Sequence, residues 1–185
     1  GTFELPEVTD APASTARPTT IVPEAATTVL DPIDAPAVMD VQLHFLDTDR
    51  NSGGIGGGFP QANCGEPDAV LCFSQDRFLD LIFSQSETRF GILSGLPFAG
   101  ADAPLAIDVM DRARVRLAEI DPGKRLLIQA PVFPATGAIE AVLEGMQRDV
   151  ETYPVAAWKT YTHAPDVYRL DDERGSALLG QAVAL

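Results

Sequence analysis

The sequence predicts an α/β fold made of four β-then-α units in succession, and three observations predict it. Short apolar runs recur near residues 38–45, 89–97, 125–131 and 155–162, the length and composition of buried strands. Each is followed by a segment whose apolar residues step by three and four, the period of a helix packed on one side. After the first long loop the units repeat at roughly 30 residues, the spacing of a βα barrel. Eight strands close such a barrel and four are read here. The expectation is therefore the N-terminal half, about four βα units, of a (β/α)8 TIM barrel, with a self-sufficient flavodoxin-like sheet as the alternative.

Residues 1–37 carry Pro6, Pro12, Pro18, Pro23, Pro32 and Pro36 among Ala and Thr. Proline at that density forbids helix and favours extended chain, so 1–37 is expected to be a Pro/Ala/Thr-rich arm before a domain spanning 38–185. The first strand reads as buried but ends in polar residues. Asp40, Gln42 and His44 share one face of it, because side chains alternate with period two. Buried polar groups cost free energy unless they are paired or bind something, so this line marks a candidate site.

A long loop follows, from Asp47 to about Phe73, with the run Gly53-Gly54-Ile55-Gly56-Gly57-Gly58. It lacks the Gly-Lys-Ser/Thr ending of a phosphate-binding loop and reads as a lid or surface loop. Cys64 and Cys72, the only cysteines, fall close together in it. They suit a disulfide in an oxidising compartment, periplasmic or secreted; two reduced thiols in the cytoplasm are the other possibility. Ser74 then caps a helix with the stripe Phe78, Leu79, Ile82 and Phe83. The second helix is read from Ala106, Met110, Ala113, Leu117 and Ile120, with Asp102 as cap and Asp121-Pro122-Gly123 as stop. The third strand, with Leu126-Leu127-Ile128-Gln129-Ala130, looks buried on both faces. A third helix is expected over 136–150 and a fourth over 173–185.

With 185 residues, 45% of them apolar, the chain can bury a core. A formal charge of −14 excludes nucleic acid as a partner, since nothing neutralises a phosphate backbone. No run approaches the roughly 20 apolar residues of a membrane helix, so no membrane partner is expected. Arg112, Arg114 and Arg116 form the only local basic cluster and read as the wet side of a helix.

Four pieces together carry a family resemblance. They are Asp40-Val41-Gln42-Leu43-His44-Phe45, Phe90-Gly91-Ile92-Leu93-Ser94-Gly95-Leu96-Pro97, Arg125-Leu126-Leu127-Ile128 and Ala157-Trp158-Lys159-Thr160-Tyr161-Thr162. From about residue 38 onward the chain resembles the N-terminal half of the metal-dependent amidohydrolase superfamily, in the branch that includes aminocarboxymuconate-semialdehyde decarboxylase. The resemblance implies a TIM barrel with its site at the C-terminal strand ends, and a metal-dependent hydrolase or non-oxidative decarboxylase acting on a small molecule. It implies a divalent metal, zinc foremost, with manganese or iron as alternatives. The family's first-strand pattern is His-x-His, and here it reads Gln42-Leu43-His44, so one expected ligand is replaced by an amide.

His44 is accordingly the expected metal ligand, as neutral imidazole suits zinc, iron or manganese. Gln42 and Lys159 are the expected catalytic residues, Gln42 orienting water or substrate. A lysine at the fourth strand end bridges metals in several branches of the superfamily. Gln129 and His163 are expected to face substrate. The remaining machinery would come from a complementary C-terminal barrel half, from the same precursor or a second chain, making an oligomer. A non-catalytic, assembly-dependent half-barrel is the alternative function. Its open sheet flanks would favour association.

Overall fold

In a computed structural model of the chain, the described residues are 37–50, 64–97, 100, 102–135, 137–162 and 169–185. The expected arm, apart from Ala37, lies outside them, as do the glycine run and His163. Four strands form one parallel sheet in the order β1-β2-β3-β4. They are β1 (Val38–Leu43), β2 (Thr88–Ser94), β3 (Arg125–Pro131) and β4 (Val155–Lys159). Between β1 and β2 come a 3-10 helix (Ala69–Phe73), α1 (Gln75–Leu79) and a π-helical segment (Asp80–Ser84). The later helices are α2 (Ile107–Ile120), α3 (Ile139–Thr152) and α4 (Glu173–Ala184). Strands and helices thus alternate as expected. A flavodoxin-like sheet would place its first strand between the second and third. Here β1 is an edge, so that alternative does not describe this sheet.

The helices cover one face. Leu43, Leu93, Leu126, Ile128 and Ala130 meet Phe78 and Leu79 of α1, Phe83, and Val109, Met110, Ala113 and Leu117 of α2 in one core. Trp158 pairs in register with Ala130 and so joins the same face. There it also packs against Met146 of α3 and Leu178 of α4. Ser74 caps α1 as expected, its side chain accepting from the Arg77 N–H at 3.4 Å. The chain then continues as a π-helix, where Gln85 N–H reaches the Asp80 carbonyl five residues back at 2.9 Å. On a regular α-helix, side chains five apart diverge by about 140°. The wider π turn lets Phe78 and Phe83 share one core, edge to face at 6.0 Å.

Two burial expectations and one cap need correction. β1 is largely exposed, with Val38 at 51% and Val41 at 62%, because it pairs only with β2 and little covers it among the described residues. β3 is sealed on one face only. Leu127, on the other, is 37% exposed and pairs with Ile92, no helix lying over them among the described residues. Asp102 does not cap α2, whose first turn begins after Ala106. Pro104 explains this, since the residue before a proline is disfavoured in helical backbone. The chain instead runs as turns, with Ala106 N–H on the Ala103 carbonyl at 3.2 Å.

Candidate functional site at the C-terminal strand ends

His44 owes its place to its neighbours. Leu43 and Phe45 are 6% and 1% exposed, and both turn into the core. Phe45 stacks on Phe78 at 5.2 Å. The residue between two such anchors must face away from the helices. Leu46 N–H then bonds the Phe73 carbonyl at 2.7 Å, and Asp47 N–H bonds the Pro104 carbonyl at 2.7 Å. His44 is thereby held at the strand end, exposed on the open side.

Its imidazole is hydrogen-bonded to the Ser94 backbone at the end of β2. Partial desolvation pushes its pKa below the ordinary 6.5, and the Lys159 ammonium pushes the same way. The Ser94 bond and the Asp40 carboxylate oppose them without reversing the sign. The ring is therefore neutral at pH 7, with one nitrogen lone pair to offer. Asp40 turns its carboxylate to its own strand, where Oδ1 accepts from Gln42 N–H at 3.1 Å. That capture falls where the β1–β2 register shifts. Gln42 itself is exposed on the far side of Leu43.

Across the sheet, Ser94 pairs with Gln129 and its hydroxyl donates to Gln129 Oε1 at 2.8 Å. The Gln129 amide oxygen is thereby engaged, which leaves its nitrogen as the donor end of that side chain. Lys159 pairs with Pro131, one step beyond Gln129. Its ammonium lies 5.3 Å from the centre of the Tyr161 ring, a cation–π contact. The Tyr161 hydroxyl donates to the Gly95 carbonyl, tying the end of β4 to the end of β2. Gly95 must be glycine, because a Cβ there would meet Pro131 at 2.6 Å. Among the described residues Lys159 has no acidic partner within ion-pair distance. One cationic and one amide donor facing solvent together can hold an anionic oxygen.

The structure thus gathers His44, Ser94, Gln129 and Lys159 on one open face and leaves Gln42 at its rim. Sequence reasoning missed Ser94, Gly95 and Tyr161. Tyr161 lies two residues beyond Lys159, so period two already placed it on the same face. As a metal centre the group is incomplete. Among the described residues no three His, Cys, Asp or Glu side chains gather to hold an ion. His44 would be one ligand among donors supplied from elsewhere.

A second set of charges lies next to the site. Arg50 grips Asp108 at 2.9 and 2.7 Å, Arg112 reaches both Asp108 at 2.9 Å and Asp47 at 2.5 Å, and Arg50 lies 3.7 Å from Asp47. This closed ring of four fastens the chain just beyond His44 to the first turn of α2. The hydrogen bond from Arg50 holds the Asp108 carboxyl below its ordinary range. A groove of about 690 Å³ opens beside it, reaching Pro131, Phe133, Arg148 and Asp149. Neither His44 nor Lys159 lines that groove, and its Arg50 and Asp108 satisfy one another. The strand ends, where donors face solvent unopposed, are the better candidate site.

Cys64 and Cys72 lie at disulfide distance, their Cα atoms 5.7 Å apart, as expected. No helix among the described residues is long and apolar enough to cross a membrane. Compared with known protein families, curated proteins and solved structures, the chain matches none.

Proposed function

We propose that the chain supplies the N-terminal half of a TIM-barrel enzyme of the amidohydrolase type. Its reaction would be metal-dependent hydrolysis or non-oxidative decarboxylation of a small organic substrate. The observation that carries this reading is the line His44, Ser94, Gln129 and Lys159 across the C-terminal ends of a parallel sheet wound in one direction. That is where βα-barrel enzymes keep their chemistry. In this reading His44 lends a neutral nitrogen to a divalent metal, zinc foremost and manganese or iron as alternatives. Such a metal, when bound, polarises a carbonyl or activates water. Lys159 and Gln129 hold the substrate's oxygens, Gln42 orients water or substrate at the rim, and His163 approaches from the following loop. The other ligands and strands come from a complementary half, of the same precursor or a second chain. The cysteine pair favours a periplasmic or secreted setting over the cytoplasm.

Metal analysis of the purified protein in its native assembly tests the reading. Stoichiometric transition metal that is lost in His44→Ala is the expected result. A metal-free protein that remains stably folded would overturn it. One observation favours a second reading, a non-catalytic half-barrel that functions only in assembly. β1 exposes Val38, Met39 and Val41 together, and its ligand position carries Gln42 in place of histidine. A native particle holding both halves and no metal is the outcome that selects it.

A further inference from the structure

We propose that the Cys64–Cys72 pair is a thiol–disulfide switch that sets the order of the His44 strand end. The inference stands on local packing and holds whether or not His44 carries a metal. Cys72 belongs to the 3-10 helix Ala69–Phe73, and the next residue, Phe73, provides the carbonyl that receives Leu46 N–H at 2.7 Å. Leu46 is two residues beyond His44. A short covalent path therefore joins the cystine to the backbone that holds the imidazole. Cys64 is fixed from the other side, its carbonyl accepting from Arg77 Nη2 at 3.0 Å, while Arg77 also reaches Asp80 at 3.3 Å. None of the residues of the 3-10 helix is fully buried.

The pair spans a separation of only eight residues. A short loop constrains the unfolded chain less than a long-range crosslink, so the cystine's effect falls on local order. Access is open as well. Residues 65–68, between the two cysteines, are exposed, and both cysteines are only half-buried. A dithiol reductant completes the chemistry. Its thiolate attacks one sulfur to give a mixed disulfide, and its second thiol displaces the remaining cysteine. Two electrons pass to the cystine, leaving two cysteine thiols and the oxidised cyclic reductant. With the crosslink cut, the 3-10 helix frays, Phe73 releases Leu46, and His44 loses the nearer of the two backbone bonds that anchor it. Exchange with an oxidised disulfide compound, which takes up the two electrons and leaves as two thiols, re-forms the cystine and restores the bond.

Amide hydrogen exchange of the full chain, with and without dithiothreitol, tests the switch. On reduction the Leu46 amide is expected to exchange about ten-fold faster or more, while Leu126 and Ile128 in central β3 change less than about two-fold. The double variant Cys64→Ser/Cys72→Ser should show the fast Leu46 exchange without reductant and no response to it. Unchanged Leu46 exchange on reduction overturns the proposal. An equal acceleration at Leu126 and Ile128 overturns it too, because the pair would then be a global staple. The metal content of the same samples is read separately, so failure of the proposed function leaves this result intact.

Discussion

β1 and β3 are strands of one parallel sheet, of similar length and similar apolar content, yet they live in different surroundings. β3 has a strand on each side and α2 across its back. Leu126, Ile128 and Ala130 are 3% exposed or less. β1 has one neighbour, and only Leu43 of its six residues is buried. The difference teaches that burial here is set by position in the sheet order, and only secondarily by hydrophobicity. Val41 is as apolar as Leu126, but nothing described lies over it. Position also decides where polarity is tolerated. His44 and Lys159 sit at the ends of the two edge strands, on the face the helices leave open, where a charged or ligating side chain keeps a path to solvent.

Three substitutions probe that contrast, and the largest effect belongs to the sealed strand. Ile128→Ala leaves a void among fully buried neighbours and should cost about 2–5 kcal/mol by chemical denaturation. A loss below about 1 kcal/mol would mean that β3 is not the centre of the core. Next comes Asp108→Asn, which removes the shared acid of the four-charge ring and should cost about 1–2 kcal/mol at pH 7, discounted for its partial exposure. Its folded pKa lies below the ordinary 3.8. The stabilisation it provides is therefore fully present above that value and is lost as pH falls through the lower, folded one. The gap between wild type and variant should narrow as pH falls below that ordinary value, and a gap constant with pH would remove the carboxylate from the account. The smallest change is Val41→Ser on β1, within about 0.5 kcal/mol. A cost comparable to that of Ile128→Ala would show that the open face is covered in solution.

Much of this was legible in the sequence. The stripe Met110, Ala113 and Leu117 gave α2, the run from Leu126 to Ala130 gave β3, and Ser74 gave the start of α1, because each signal lies within one or two turns of chain. The cysteine pair was legible from its spacing and from the absence of other cysteines. His44 was identifiable because period two separates it from Leu43 and Phe45. What escaped was non-local. The bond from the Tyr161 hydroxyl to the Gly95 carbonyl spans 66 residues, and that from Arg112 to Asp47 spans 65. The arginine stripe correctly read as the wet side of α2, yet nothing local singles out Arg112 as the one that crosses to the site loop. Strand exposure escaped for the same reason, since composition does not reveal which strand lies at an edge.

The π-helical segment Asp80–Ser84 bears on how this chain tolerates changes of length. A π turn holds one residue more than the α turn it replaces, so the segment is in effect an insertion absorbed without a break in the helix. Its register carries Phe83 round to meet Phe78. Removing one residue between them would restore ordinary helical pitch and leave the two rings four apart, about 40° round the helix and still on one face. The aromatic contact therefore does not need the spare residue, and the π turn is what lets the chain carry it without losing that contact.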